Sequence, residues 1–325
     1  MIVVTGGAGF IGSALIWYLN EQGHRDIIAI DRLGLDNKWQ NLAKRDFHLI
    51  IPTPESLDWL QDHIQEVDVI FHMGACSSTT ERDGDFLMRN NVLYTQKLWQ
   101  LCSEHAIPLI YASSAATYGA EESDFSDQHE GIPSLRPINK YGFSKQIFDR
   151  WALQQVKTPS HWFGLKFFNV YGPNEYHKGS QASVVFHAHP QIVQKGQLKL
   201  FKSYRPEVDH GEQKRDFIYV KDVVRVLYHL WQNKDEAKSG VYNLGTGEAR
   251  RFIDLGSAVF QALGKKAQFE WIEMPENIKN QYQYFTQANL DKLRQDGKYS
   301  QTMTSLEDGV SDYVTHYLEQ ADPYL

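Results

Sequence analysis

Thr5-Gly6-Gly7-Ala8-Gly9-Phe10-Ile11-Gly12 decides the fold: it carries a GxxGxxG run straight out of the apolar triplet Ile2-Val3-Val4. Glycine at positions 6, 9 and 12 lets the chain turn sharply and lets its backbone approach a pyrophosphate. The anion then sits at a helix N-terminus, where unpaired N–H groups and the helix dipole favour negative charge. An apolar stripe of Ile11, Leu15, Ile16 and Leu19 follows at helical spacing. A second apolar run, 27–30, ends in Asp31, nineteen residues past Gly12, where an acidic side chain meets an adenosine ribose. Strand, glycine turn, helix, strand and acid in this order predict the opening βαβ unit of a dinucleotide-binding domain.

Outward from this unit, to about residue 172, short apolar runs alternate with amphipathic stretches. The strands are expected at 2–5, 27–30, 47–51, 69–73, 109–113 and 163–169, and the helices at 57–65, 86–105 and 141–156. The pattern predicts an α/β fold: a Rossmann doubly wound, parallel sheet over 1–172, with a smaller α/β substrate domain over 173–325. Part of that second half, around 214–245, is expected to return to the first sheet. A helix is expected at 184–194 and a strand ending in a turn at 240–247. Loops rich in His, Lys and Gly at 173–181 and 202–215 are expected to face a ligand.

Composition excludes several classes. The chain of 325 residues, 42% hydrophobic, can bury a large core, yet no apolar run reaches the roughly 18 residues of a membrane span. A soluble, cytoplasmic protein is therefore expected, with no membrane partner. A net charge of −7 argues against non-specific nucleic-acid binding, so an anionic ligand must be held by local cations. The two cysteines, Cys76 and Cys102, form no disulfide framework and are read as buried small hydrophobes. No metal is expected: the histidines of Phe186-His187-Ala188-His189 have no acidic or cysteine partner at ligand spacing.

The second informative motif is Tyr141-Gly142-Phe143-Ser144-Lys145. Its four-residue spacing puts Tyr141 and Lys145 on one helical face. A phenol titrates near pH 10, so a tyrosine base at neutral pH needs positive charge beside its anion, worth roughly 4 kcal/mol for three units of pKa. Lys145 and an oxidised nicotinamide could supply it. Ser113 and Ser114 follow Leu109-Ile110-Tyr111-Ala112 at the end of a strand, where open α/β sheets bind ligands. Ser114 is the better candidate to hydrogen-bond the reacting oxygen.

Six segments carry a resemblance that covers nearly the whole chain: TGGAGFIG (5–12), HMGACSSTTERDG (72–84), YASSAATYG (111–119), YGFSK (141–145), FFNVYGP (167–173) and RDFIYVKDV (215–223). They resemble the extended short-chain dehydrogenase/reductase family, whose nucleotide-sugar members modify sugars with a tightly bound nicotinamide cofactor. Ala75 to Thr80, His177-Lys178-Gly179-Ser180 and Tyr284 to Ala288 are similar to members that invert C6 of an ADP-linked heptose, a sugar of the lipopolysaccharide inner core. The resemblance implies transient oxidation to a 6-keto sugar, with hydride returned to the opposite face. Tyr141 would then be the first acid/base group, assisted by Lys145 and Ser114, and Lys178 the second. It places the cofactor against Gly6, Gly9, Phe10, Ile11, Gly12, Asp31, Arg32, Lys38, Met73, Gly74, Ala75, Cys76, Ser77, Asn90, Tyr141, Lys145, Val170 and Lys178. It places the ADP-heptose substrate against Ser114, Asn169, Ser180, His187, Phe201, Lys202, Ser203, Tyr204, Arg215 and Tyr282. A homo-oligomer, specifically a homopentamer, is implied as well.

For the cofactor, Asp31 favours the free ribose hydroxyl of NAD, while Arg32 and Lys38 favour a 2′-phosphate. NADP is the expectation, with NAD as the alternative. The chain departs from the family at Thr53 and Pro54, where a lysine is often found, at Met73, where an acid is usual, and in a longer 202–214 loop. An epimerase or dehydratase acting on a UDP- or GDP-sugar is the nearest rival reading. A ketoreductase would leave the HKGS loop unexplained, and a non-enzymatic redox sensor would not need Tyr141.

Overall fold

Twelve strands follow one another along the described residues: β1 (Ile2–Thr5), β2 (Ile27–Asp31), β3 (Leu49–Pro52), β4 (Val69–His72), β5 (Leu109–Ser114), β6 (Trp162–Phe167), β7 (Asn169–Tyr171), β8 (Leu198–Phe201), β9 (Lys214–Tyr219), β10 (Gly240–Leu244), β11 (Ala249–Arg251) and β12 (Phe269–Ile272). These come from a computed structural model that describes residues 1–120, 123–279 and 282–325. Seven strands form one sheet in the order β10-β6-β5-β4-β1-β2-β3, every neighbouring pair parallel. Helices cover both faces, so β1 and β4 are buried along their whole length and apolar up to their last residues, Thr5 and His72. The sheet is the doubly wound Rossmann type.

β1 pairs with β2 on one side and β4 on the other, with Thr5 opposite Ile30 and His72. The connections leave in opposite directions there, so a crevice opens beyond the C-terminal ends of these strands. The helix Val220–Gln232 shows how the sheet is covered. Its Val220, Val223, Val224, Leu227 and Leu230 recur at helical spacing, are completely buried, and pack the helix against the helix Phe10–Glu21. Each such side chain contributes at most about 1.5–3 kcal/mol of burial free energy.

Segments on both sides of β10 build a second body. There β7, β9 and β11 form a three-stranded sheet, and β8 pairs with β12. The stretch expected as one strand at 163–169 is divided at Phe168, whose amide donates to the Leu244 carbonyl (3.0 Å) as the chain leaves the large sheet. The expected helix at 86–105 is interrupted too: a π-helical turn, Met88–Leu93, separates Gly84–Leu87 from Tyr94–His105.

Residues 322–325 return to the cofactor side. The Leu325 amide donates to Asn174 Oδ1 (3.1 Å), the Tyr176 hydroxyl donates to the Pro323 carbonyl (2.5 Å), and Lys44 pairs with Asp322 (3.1 Å). Among the described residues no helix is long and apolar enough to cross a membrane.

Candidate active site

The glycine run needs its glycines. Gly6 has φ +67°, and a Cβ there would lie 2.6 Å from Gly74 Cα; a Cβ on Gly12 would lie 2.1 Å from the Gly6 carbonyl oxygen. No side chain fits at either place, so backbone alone faces the head of the helix Phe10–Glu21. The crevice beside it is lined by Gly6, Asp31, Arg32, Lys38, Thr53, Gly74, Ala75, Cys76 and Asn90, among others. Asp31 accepts from the Ala8 amide (2.9 Å), from the Arg32 amide (2.7 Å) and from Lys38 Nζ (2.9 Å). Bare glycine backbone, a helix N-terminus and a carboxylate at the end of β2 fit a dinucleotide. Cys76 corrects an expectation: it is half-exposed in this crevice rather than a buried core residue, whereas Cys102 is fully buried.

Thr5, at the end of β1, is linked to His72 Nδ1 (2.6 Å), whose Nε2 is linked to Thr95 (2.9 Å). Burial drives the His72 imidazole down to about 3, and the Lys145 charge adds to the effect, so the ring is neutral and acts as a spacer beneath the crevice. Next to it, Asn91 clasps the 73–77 loop: its Oδ1 accepts from the Cys76 amide (2.9 Å), and its Nδ2 donates to the Cys76 carbonyl and to Ser144 Oγ (both 3.0 Å). Asn91 lies in the π-helical turn, which aims a helix side chain at the loop where a regular helix would not.

Tyr141 and Lys145 stand one turn apart on the helix Lys140–Ala152, which is capped by Asn139 accepting from the Gly142 amide (2.8 Å). Both are buried. The Tyr141 hydroxyl is hydrogen-bonded to Ser114, while Ser113 Oγ instead donates to Asp149 (2.7 Å), so Ser114 is the serine that meets the tyrosine. Burial raises the Tyr141 phenol above its ordinary value, against the hydrogen bond from Ser114. Burial lowers the Lys145 ammonium to about 8, opposed by Asp149, and its Nζ donates to the Ala112 carbonyl (2.7 Å).

One turn beyond Lys145 lies Asp149, which no local sequence signal marks. It is fully buried and paired with the equally buried Lys166 of β6 (2.7 Å); it also accepts from Tyr111 (3.1 Å) and Ser113. Lys166 donates in addition to Thr117 Oγ1 (2.8 Å). This closed network joins β5, β6, the turn 115–118 and the Tyr141 helix.

Lys178 reaches the site from the other body. It lies on the turn Tyr176–Gln181, with Nζ 5.2 Å from the centre of the Phe10 ring at the start of the glycine-loop helix. Burial lowers its ammonium, opposed by Glu175. Ser180 on the same turn is exposed. Met73 and Ile11 are partly buried against the core, Ser77 is exposed, and Val170 is half-buried in β7 beside the exposed Asn169.

Several of the remaining expected residues take part in contacts between arginines and tyrosines. The Arg215 guanidinium lies over the Tyr282 ring (5.1 Å) and donates to the Gln283 carbonyl; Asp216 is occupied elsewhere, by Thr246, Gly247 and Ala288, and so does not pair with Arg215. Arg205, inside the long 202–214 loop, lies over Tyr284 (4.2 Å), whose hydroxyl accepts from the Tyr204 amide (2.9 Å). Lys202 and Tyr204 both engage Glu273, Lys202 at 2.6 Å. The Ser203 amide donates to His210 (3.0 Å), Phe201 ends β8, and His187 sits half-buried on the helix Val184–Lys195. His189 meets Glu319 (2.5 Å), and among the described residues no group of three or more potential metal ligands comes together.

The chain has clear relatives. It is 50% identical to the ADP-L-glycero-D-manno-heptose-6-epimerase of Fusobacterium nucleatum, with 100% of each chain covered. It is 49% identical to the protein of the same name from Nitratidesulfovibrio vulgaris, again over 100% of both. The crystal structure of Helicobacter pylori ADP-L-glycero-D-manno-heptose-6-epimerase superposes with a TM-score of 0.79 at 29% identity, covering 97% of this chain and 95% of that one. MoeE5 in complex with UDP-glucuronic acid and NAD superposes with a TM-score of 0.76 at 25% identity, over 95% and 96% of the two chains. Residues 2–245 match the family description, and the chain belongs to the NAD dependent epimerase/dehydratase family.

Proposed function

We propose that this chain interconverts ADP-D-glycero-D-manno-heptose and ADP-L-glycero-D-manno-heptose by transient oxidation at C6. The observation that carries the reading is that two proton-transfer groups, the buried Tyr141 and the half-buried Lys178, approach the glycine loop from separate elements. Tyr141 comes from beside Ser114 and Cys76, and Lys178 comes across Phe10. Full-length identity to heptose epimerases supports the choice of substrate.

A nicotinamide cofactor held against the Gly6–Gly12 backbone and Asp31 would supply hydride acceptance and return at C6, and its oxidised ring would supply the positive charge that a buried Tyr141 needs to ionise. The chain does the rest. Ser114 holds the sugar hydroxyl against Tyr141, and Lys145 stabilises the phenolate. Inversion at an exocyclic carbon presents the keto group in two orientations, so a second proton donor must serve the other one, and Lys178 fills that role. The Arg215–Tyr282 stack and the segment 201–204 hold the nucleotide diphosphate, and Asn169, Ser180 and His187 line the sugar end. In this reading 1–172 with the return through β10 is the cofactor half, and the rest is mainly the substrate half. The motif resemblance further supports a cytoplasmic homo-oligomer supplying heptose to the lipopolysaccharide inner core.

Lys178→Met is expected to keep fold and cofactor while suppressing interconversion of the C6 epimers. The test uses C6-deuterated ADP-heptose followed by mass spectrometry. Deuterium kept at C6 of the inverted product supports the proposal; exchange with solvent, or stoichiometric NADPH, defeats it.

For the cofactor we propose NADP, with Arg32 and Lys38 as the 2′-phosphate cations. Lys38 already neutralises Asp31, which reduces the repulsion a carboxylate would exert on that phosphate. Replacing both cations by alanine should weaken NADP relative to NAD by about 1–3 kcal/mol. An unchanged affinity ratio, measured by titration calorimetry, would assign the pocket to Asp31 and NAD.

A further inference from the structure

The Lys178 segment hangs between two fixed points, Gly172 at the end of the second-body strand β7 and Ser183 at the head of the helix Val184–Lys195. One side chain touches both. The carboxylate of Glu175, completely buried, accepts from the Gly172 amide (3.3 Å) and from the Ser183 hydroxyl (2.7 Å) on Oε1, and from the Ser183 amide (2.5 Å) on Oε2. Its own carbonyl accepts from the Lys178 amide (3.0 Å), closing the first turn of the segment. Ser183 Oγ in turn accepts from the Phe186 amide (3.2 Å), so the clasp is continuous with the helix cap.

A carboxylate is not normally placed in such a position without a counter-charge, because an unpaired buried ion is costly. Here the Lys178 ammonium, three residues on and half-buried, acts on it electrostatically without closing an ion pair. The surroundings hold few other charges. Tyr176 and Tyr313 lie beside Glu175, Phe10 covers Lys178, and His177, next along the chain, faces Lys38, Asp36 and Asp31. Burial raises the Glu175 carboxyl, and the Ser183 and Gly172 donors together with Lys178 oppose it.

We propose that Glu175 is the positioning residue for Lys178: a single carboxylate that draws the two ends of its loop together and provides the counter-charge for its ammonium beside the glycine loop. The proposal rests on the reading of Lys178 as the second acid/base group for its functional meaning, though not for the physical link between the two side chains. Because the segment is pinned at Gly172 and Ser183, removing the charge and removing a clasp have separate effects.

The experiment measures the titration of the Lys178 amine directly, by competitive amine labelling of the holoprotein across alkaline pH with mass-spectrometric readout, alongside epimerase turnover. Glu175→Gln removes the charge and is expected to lower the Lys178 midpoint by about one pH unit or more. Ser183→Ala keeps the charge and loses one clasp; its midpoint should stay in place while turnover falls about fivefold, the equivalent of one hydrogen bond. An unmoved midpoint in Glu175→Gln overturns the counter-charge, and wild-type turnover in Ser183→Ala overturns the clasp. The second variant decides the clasp by itself if the first does not fold. Should Lys178→Met still epimerise at the wild-type rate, the acid/base reading fails, while the labelling midpoints continue to report on the link itself.

Discussion

Tyr141→Phe will lower turnover at least ~100-fold while leaving cofactor binding intact, the low end of what a general acid/base group contributes. The substitution removes one oxygen from a buried ring and leaves the ring's packing in place, so the protein should fold as before. What disappears is the proton that passes between sugar and phenol, together with the hydrogen bond to Ser114. Steady-state kinetics on the purified variant, with cofactor content read from its absorbance, separates this from a binding defect. Rates within a few-fold of wild type would remove Tyr141 from the mechanism.

Asp149→Ala should destabilise the protein by about 3–5 kcal/mol, because it leaves Lys166 charged and unpaired in the interior. Tyr111 and Ser113 lose their acceptor as well, which adds to the cost. Urea unfolding of variant and parent gives the number. A loss below about 1 kcal/mol would mean that water reaches Lys166 or that the site collapses around the gap. Replacing both partners with apolar residues of similar volume should be far milder, since no charge is then stranded.

The parts of the site that could be read from the chain are those encoded by short spacings. The glycine run and the Tyr141–Lys145 pair each depend on residues a few places apart, Asp31 lies one βαβ step from the glycines, and the strands β1 to β5 lie within a residue or two of where apolar runs placed them. Other features depend on partners far away in sequence. A lysine in 163–169 reads as a polar interruption; that Lys166 is fully buried follows only when Asp149, seventeen residues earlier, meets it. Asn91 gave no signal, because its partners are Cys76 and Ser144, and the π-helical turn that aims it has no local period. Glu175 was likewise silent beside Lys178, since an acid in a loop is ordinarily solvated. Phe168 marks the divided strand through its bond to Leu244, seventy-six residues on.

That the cofactor side is finished by distant parts of the chain bears on how the protein is made. β10 closes one edge of the large sheet only after the second body has begun, and Tyr324 engages Gln40 across 284 residues of sequence. Such pairings raise contact order and slow folding. A nascent chain that has left the ribosome only as far as residue 172 would carry the whole glycine loop and Tyr141, yet lack β10 and the Lys178 turn with the neighbouring Asn174 and Tyr176 that residues 322–325 later hold. The exposed edge of β6 makes the interval before β10 is added the period of greatest exposure to aggregation.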